Sequence, residues 1–170
     1  LLPVADKERM LWLAEKLTEL GVASWRPVIF RRSKHVTPRG EGPQFHQKAR
    51  ARMLSALEQS GGAWLPVMYP EATVEHAIAA RPDGQGLLLN AGAAPLLAAL
   101  DSGATPASPG GAGRHEISIV IGPEGGLEAA EVEAFKAAGF TIASLGAQVL
   151  RFETAAVAGV AVARAWQERD

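Results

Sequence analysis

The chain has 170 residues, of which 48% are hydrophobic and 21% charged, and its formal net charge is −1. A chain of this length buries roughly 68–70% of its unfolded surface on folding, so it needs neither a metal nor a disulfide for stability. Because it contains no cysteine, disulfide scaffolds, thiolate zinc sites and cysteine nucleophiles are excluded. Its uncharged stretches are interrupted by Gly, Pro or Asn, which excludes a membrane span of ~20 residues. We expect a soluble, cytoplasmic protein without a signal peptide.

Helical and extended patterns alternate along the chain. The first helix is predicted from Met10, Leu13 and Leu17, which recur at helical spacing. The apolar run at residues 87–89 is too short for a helix and is predicted as a buried strand. In chain order, the sequence predicts a helix (5–20), a strand (25–30), a loop (31–43), a helix (44–59), a strand (64–68), a helix (73–80), a strand (87–89), a helix (95–100), a loop (102–113), a strand (116–121), a helix (128–138), a strand (141–145) and a helix (153–167).

This alternation is typical of an α/β protein with a mostly parallel sheet and helices on both faces. Each crossover between parallel strands is expected to be right-handed. No internal repeat and no boundary of a second domain are visible in the sequence. We therefore predict one domain over residues 1–170.

Positive charge is concentrated in one part of the chain. Residues 26–52 contain eight Lys or Arg and a single acidic residue, Glu41. Such a concentration attracts phosphates and indicates contact with nucleic acid. A solvated basic face without a ligand is the alternative interpretation.

A glycine-rich segment, Gly122-Pro123-Glu124-Gly125-Gly126, follows the predicted strand 116–121. In parallel sheets the carboxyl ends of the strands form the ligand crevice, and adjacent glycines let the backbone approach a ligand closely. The segment has neither the Lys-Ser/Thr of a Walker loop nor the dinucleotide glycine spacing. Glu124 also puts negative charge where a phosphate would lie. The segment therefore indicates a neutral or cationic ligand, such as the sulfonium of S-adenosylmethionine, or else a tight turn without any ligand.

Residues 144–156, SLGAQVLRFETAA, form the second candidate segment. Apolar residues with free backbone groups are able to hold a purine ring by packing and main-chain hydrogen bonds. Arg151 is compatible with a catalytic role or with a structural ion pair. Glu153 is interpreted as structural, because a carboxylate at a helix N-terminus is stabilising. Residues 154–163 carry no charge, which favours a buried helix or a subunit interface, and we infer a homodimer.

The four histidines show no spacing typical of metal ligands, so we predict no metal site. They are His35, His46, His76 and His115.

Taken together, GPEGG after an apolar strand and the later LGAQVLRFETAA closely resemble the C-terminal signature of the ribosomal RNA small subunit methyltransferase E family. AEKLTELGV near the start, RRS in the basic loop and LEQSGGAWLPVM extend the resemblance over essentially the whole chain. That family is of the SPOUT class and methylates N3 of a uridine in small-subunit ribosomal RNA. The resemblance implies S-adenosylmethionine as cofactor, small-subunit ribosomal RNA as partner, a homodimer and a C-terminal trefoil knot, a rare exception to unknotted chains.

The resemblance also implies which residues hold the cofactor, and the chemistry of methyl transfer and of RNA phosphates indicates candidates for catalysis and RNA contact. Arg151 is our first candidate for catalysis, stabilising charge on the uracil, and Glu124 is the second, as proton acceptor. Six basic residues are assigned to RNA phosphates: Arg31, Arg32, Lys34, Arg39, Lys48 and Arg52. Thirteen residues are assigned to the cofactor: Leu89, Asn90, Ala91, Gly122, Pro123, Glu124, Gly125, Gly126, Leu145, Gly146, Gln148, Val149 and Leu150.

The sequence departs from the family at a few positions. Ala147 and Gln148 stand where the family usually has Pro and Arg, and Gly61 stands where an arginine is common. The family's N-terminal β-barrel domain is not among these residues, so we interpret the chain as the methyltransferase domain. Two alternatives remain open: an α/β enzyme that binds another adenine-containing ligand at the GPEGG segment, and an RNA-binding module without activity.

Overall fold

The structure, a computed structural model, describes residues 1–33, 42–103 and 116–169. Most of the two predicted loops, with the assigned residues Lys34 and Arg39, lies outside the described residues. The elements in chain order are β1 (Leu2–Pro3), α1 (Lys7–Glu19), β2 (Ser24–Trp25), β3 (Pro27–Ile29), α2 (Gly42–Ser60), β4 (Val67–Met68), β5 (Ala72–Thr73), α3 (Val74–Ala79), β6 (Gln85–Leu89), α4 (Leu96–Gly103), β7 (Ile117–Ile121), α5 (Ala129–Ala137), β8 (Phe140–Ala143) and α6 (Phe152–Gln167).

The strands pair in parallel throughout the described residues. One group has the order β1-β3-β5 and another β7-β6-β8, while β2 pairs with β4 alone. Leu1 joins the two larger groups: its nitrogen donates to the Ile119 carbonyl at 2.7 Å, and the Ile121 amide donates to the Leu1 carbonyl at 3.0 Å. These two bonds have the parallel pattern, so the strand order across the molecule is β5-β3-β1-β7-β6-β8.

Helices cover both faces of this sheet. Along β7, Ile119 and Ile121 belong to the apolar cluster beneath α1, α2 and α6, whereas Val120 belongs to the cluster beneath α3 and α5. Successive residues of a strand point to opposite faces, so the two clusters lie on opposite sides of β7. The predicted α/β class with a mostly parallel sheet is confirmed.

The strand predicted over residues 25–30 is wrong as a single element. The structure divides it into β2 and β3, which belong to different sheets. The division follows a change of pairing partner, since β2 pairs with β4, whereas β3 pairs with β1 and β5. Trp25 is buried beside α1 and α2, and Val28 and Phe30 are buried in the cluster on the other face, as alternation along a strand also requires.

The helices α1 and α2 pack against each other beside the sheet. Each buries an apolar stripe, with Met10 and Leu13 among the buried residues of α1 and Phe45 and Met53 among those of α2. These are the stripes that the helical spacing predicts. In the described ranges, no helix combines the length and the apolar character that crossing a membrane requires.

Candidate functional site

Three loops meet at the carboxyl edge of the sheet. They follow β6, β7 and β8, which are neighbours in the order β7-β6-β8 and run in parallel. Because parallel neighbours end on the same side, the loops that leave them converge there. Residues 90–91, 122–126 (the GPEGG loop) and 144–150 are thereby brought together although they are far apart along the chain.

These loops enclose a cavity of about 380 Å³, called here the loop cavity. All thirteen residues that the sequence assigned to the cofactor line it. Five others complete the lining: Ile121, Leu127, Val132, Phe152 and Ala155. Its volume is in the range of small-molecule sites, ~300–1,000 Å³. The lining is apolar apart from main-chain groups and the side chains of Asn90, Glu124 and Gln148.

Glycine is required at two turns of the cavity wall for backbone reasons. Gly126 has φ +72° and Gly146 has φ +148°, conformations that side chains disfavour. The Gly126 amide donates to the Pro123 carbonyl at 2.8 Å, which closes the GPEGG turn. The Ser144 hydroxyl donates to the Gly146 carbonyl at 2.6 Å and accepts from the Gly146 amide at 2.9 Å. The glycines at these two positions are therefore explained in part by turn geometry, without reference to a ligand.

The segment 147–150 has unused backbone groups, and its last three residues, Gln148, Val149 and Leu150, line the cavity. Within the described part of the chain, its four amides donate to no other residue. Its apolar side chains also face outward from the core, since Val149 is 85% exposed and Leu150 38% exposed. Free main-chain donors next to apolar side chains are what the sequence analysis predicted for this segment, and they suit a planar heterocycle.

Arg9 of α1 lies outside the lining of the loop cavity and connects two of its walls. Its Nη2 donates to Glu124 Oε1 at 2.7 Å and to Glu153 Oε2 at 2.7 Å, and its Nε donates to Glu153 Oε1. The guanidinium also lies over the ring of Phe152, 4.3 Å from its centroid. Arg9 thus ties the GPEGG loop to the first turn of α6.

The charges of this cluster stabilise one another. The hydrogen bonds to Glu153, and then those to Glu124, raise the pKa of Arg9 above its ordinary value despite burial. Burial, the largest single effect, would raise the pKa of Glu153, but the hydrogen bonds from Arg9 and from its own backbone amide, together with the charges of Arg9 and Arg151, hold this pKa below its ordinary value. Both side chains are therefore charged at neutral pH.

Arg151 lies at the edge of the loop cavity, between two residues that line it. It is the N-cap of α6, and its neighbours Leu150 and Phe152 both face the cavity. Arg151 is exposed, and its guanidinium forms no ion pair with another described residue. The interpretation of Arg151 as half of a structural salt bridge therefore finds no partner among the described residues.

The first basic residues reach the GPEGG loop. Arg32 Nη1 donates to the Gly125 carbonyl at 3.1 Å, and Nε atoms of Arg31 and Arg32 lie 3.8 and 3.9 Å from Glu128 carboxylate oxygens. The Arg31 amide donates to the buried Glu131 at 2.8 Å. The start of the basic segment is therefore anchored beside the cavity.

The other assigned basic residues lie on α2. Arg52 donates to Glu15 Oε2 of α1 at 3.2 Å, and Lys48 is exposed one turn earlier. Both side chains are therefore exposed, and the ion pair with Glu15 puts Arg52 beside the contact between α1 and α2.

The sequence analysis missed Arg9. Its partners are 115 and 144 residues away along the chain, and local spacing carries no information over such separations. The one signal available is an arginine three residues after the N-cap Asp6, whose carboxylate accepts from the Glu8 and Arg9 amides at 2.9 and 3.4 Å. That signal marks the start of a helix and indicates nothing about the cavity.

Comparison with known families agrees with this geometry. A family model described as an RNA methyltransferase domain matches residues 1–164. The chain belongs to this family of RNA methyltransferase domains. Among the described residues of this RNA methyltransferase domain, no three His, Asp or Glu side chains are grouped so that they could hold a metal ion.

Solved structures similar to this RNA methyltransferase domain include three with named sources. A ribosomal RNA small subunit methyltransferase E from Neisseria gonorrhoeae, bound to S-adenosyl methionine, is 26% identical with a TM-score of 0.76 over 95% of this chain and 62% of its own. Lpg2936 from Legionella pneumophila, in complex with the cofactor SAM, is 25% identical with a TM-score of 0.74 over 96% and 64%. A predicted RNA methyltransferase from Thermotoga maritima is 28% identical with a TM-score of 0.64 over 96% and 62%. The chain thus spans less than two thirds of these relatives' length.

Proposed function

We propose that the chain is an S-adenosylmethionine-dependent methyltransferase that acts on N3 of a uridine in small-subunit ribosomal RNA. The observation that carries the proposal is the loop cavity, in which three loops from neighbouring strands bring together all thirteen residues assigned to the cofactor. Two relatives that match 95% and 96% of the chain are described with that cofactor bound. With ribosomal RNA as substrate, we expect the activity in the cytoplasm.

The lining of the loop cavity fits this cofactor. No Lys or Arg lines it, and the carboxylate of Glu124 does, so the cavity favours a positive over a negative ligand group. The free amides of residues 147–150 are available to an adenine ring. The GPEGG loop and residues 89–91 form the remaining walls. When bound, S-adenosylmethionine supplies an electrophilic methyl group on a positively charged sulfur.

Two side chains at the cavity are suited to the uracil. The exposed, unpaired guanidinium of Arg151 stabilises the negative charge that develops on the uracil oxygens as N3 loses its proton. Glu124 accepts that proton: Arg9 occupies its Oε1, whereas no described residue donates to its Oε2. A positioned base contributes typically about 10²–10⁴-fold, while alignment of the two reactants contributes more.

The basic residues beside the cavity support RNA as the substrate. Arg31 and Arg32 are largely exposed and stand next to the GPEGG loop. Phosphates of an RNA strand bound there would bring a base towards the cavity mouth. The assigned Lys48 and Arg52 extend the positive surface along α2.

Calorimetric titration tests the ligand class. We expect S-adenosylmethionine to bind the chain with one site per protomer, and ATP and NAD to bind far more weakly, because their phosphates meet Glu124. Tighter binding of ATP or NAD would favour the alternative of an α/β enzyme with another adenine-containing ligand.

A methylation assay on unmodified small ribosomal subunits tests the reaction. After digestion of the RNA to nucleosides, mass spectrometry is expected to find N3-methyluridine only when chain and donor are both present. Binding of donor and RNA without any methylated product would favour the RNA-binding module, and a different methylated nucleoside would reject the N3 assignment.

A further inference from the structure

We propose that Arg9 is a positioning residue that holds the GPEGG loop against the first turn of α6 and so keeps the methyl-donor cavity in its binding shape. The proposal rests on the proposed function for the identity of the ligand. Arg9 itself does not line the cavity. It acts through Glu124, Phe152 and Glu153, the three side chains that it contacts.

The contacts of Arg9 fall on two separate walls. Glu124 belongs to the loop that follows β7, whereas Phe152 and Glu153 begin α6, which follows β8 through the loop 144–150. Both Glu124 and Phe152 line the cavity. The width of the cavity between these walls therefore depends on the side chain that spans them, and the contacts just described make Arg9 that side chain.

Without a cation between them, the two walls would repel each other. Glu124 and Glu153 each accept from the same nitrogen, Arg9 Nη2, at 2.7 Å, so their carboxylates lie close together. Like charges at such a separation are destabilising, the more so because Glu153 is only 16% exposed. The single positive charge of Arg9 lies between the two carboxylates and attracts both, and Arg9 is itself held by stacking on Phe152.

Arg9 is suited to this role by its own anchoring. It lies in the first turn of α1, where its amide is bonded to the N-cap Asp6, and α1 is fixed by packing against α2 and α6. A rigid helix thus presents the planar fork of a guanidinium to two carboxylates at once. A lysine carries the same charge on one flexible nitrogen and does not reproduce the fork.

The role extends to Arg151, the residue proposed to stabilise the uracil charge. Arg151 is the N-cap of α6 and stands two positions before Glu153. A shift of the first turn of α6 would move its guanidinium relative to the cavity. Misplacement of about 1 Å can cost about a hundred-fold in rate, so loss of Arg9 is expected to lower kcat as well as donor affinity.

Donor affinity and local amide exchange test the proposal. The variants are R9M, R9K, E153Q and the double variant R9M/E153Q, measured by calorimetry with S-adenosylmethionine and by amide hydrogen exchange of the ligand-free protein. The matched control is Arg164→Met, because Arg164 is 34% exposed against 32% for Arg9 and also forms an ion pair, with Glu168 at 2.7 Å.

We expect R9M to raise the donor Kd about ten-fold or more and to speed exchange in residues 122–126 and 151–154 alone. R9K is expected to recover part of the affinity. Since Arg9 acts through Glu153, R9M/E153Q is expected to lose little more than R9M. Arg164→Met is expected to leave the donor Kd unchanged.

Other results would overturn the proposal. If R9M changes neither the donor Kd nor the local amide exchange, Arg9 serves only the stability of the fold. If R9M lowers only the affinity for RNA, Arg9 binds phosphate directly. If R9M does not fold, an unchanged donor Kd in both R9K and E153Q rejects the proposal. A wild-type protein that binds no S-adenosylmethionine rejects the proposed function instead, and the exchange data on the ligand-free protein still decide whether Arg9 joins the walls.

Discussion

At the scale of single residues, two arginines near one cavity have opposite characters. Arg9 is committed to two carboxylates and a ring, whereas Arg151 is exposed at the cavity edge and forms no ion pair among the described residues, although its charge contributes to lowering the pKa of Glu153. An exposed charge of this kind has no ion pair to break before it meets a ligand. The first arginine is therefore suited to shaping the site and the second to acting on a substrate.

Replacing Arg151 with Ala tests the second assignment. We expect turnover to fall about a hundred-fold or more, because a charge-stabilising donor is lost, while the donor Kd stays within about two-fold of wild type, since Arg151 does not line the cavity. Single-turnover methylation and calorimetry measure the two quantities. Turnover equal to that of wild type removes Arg151 from the mechanism.

Sequence reasoning identified Arg151 and missed Arg9 for a physical reason. Arg151 stands inside a segment whose composition and strand-to-helix position mark it as a ligand loop. Arg9 stands in an amphipathic helix, where an arginine on the polar side is ordinary. Its importance comes from Glu124 and Glu153, which only the folded sheet brings to it.

At the scale of elements, long periodic segments were predictable and short ones were not. The stripes of α1 and α2 recur at helical spacing, and β6 and β7 are apolar runs bounded by breakers. In contrast, β1 and β5 have two residues each, too few for any alternation to be visible. The division between β2 and β3 was missed because their pairing with different strands, β4 for β2 and β1 and β5 for β3, is a tertiary fact.

The turn after β3 and the helix α2 carry the described basic residues assigned to RNA, and salt dependence tests whether they bind RNA. We expect binding of a small-subunit RNA fragment, followed by fluorescence anisotropy without donor, to weaken steeply with salt. The double variant R31Q/R32Q is expected to reduce the slope of log K against log salt by about 1.4, at ~0.7 per single-stranded phosphate contact.

Lys136→Gln is the control for this measurement, because Lys136 is an exposed basic residue of α5 that pairs with Glu133 at 2.8 Å. Its slope is expected to match that of wild type. Slopes that are flat for every protein, or equally reduced in the control, would count against a specific phosphate contact by Arg31 and Arg32.

At the scale of the whole molecule, the second open surface lies beside the loop cavity. An apolar cavity of about 450 Å³ is lined by the start of α4, by residues 92, 93 and 95, by residues 144–147 and by Val162 of α6. It shares Leu145 and Gly146 with the loop cavity, and Leu97 at its border is 54% exposed. The uncharged stretch 154–163 of α6 is largely half-buried. The trefoil knot implied by the resemblance stays a prediction, as does the homodimer.

Because Leu145 and Gly146 line both cavities, dimerisation and donor binding can be tested with the same variants. If a second copy covers Leu97 and Val162, a charge there must be desolvated on association and should disrupt the dimer. We expect wild type to have twice the monomer mass by light scattering and Leu97→Glu to be monomeric. Leu97 is already exposed in the single chain. We therefore expect the monomeric Leu97→Glu protein to keep its thermal stability. Val67→Glu is the control, since Val67 is 50% exposed on β4 and is expected to stay dimeric.

Because Leu145 and Gly146 belong to both cavities, monomeric Leu97→Glu is also expected to bind S-adenosylmethionine more weakly, while Val67→Glu binds as wild type does. An interface that orders the loop 144–150 contributes to donor affinity by reducing the entropy lost on binding. If the monomer binds the donor as tightly as wild type does, the loop 144–150 does not couple dimerisation to donor binding. The loop cavity is then complete in one chain. A monomeric wild type would reject the dimer itself.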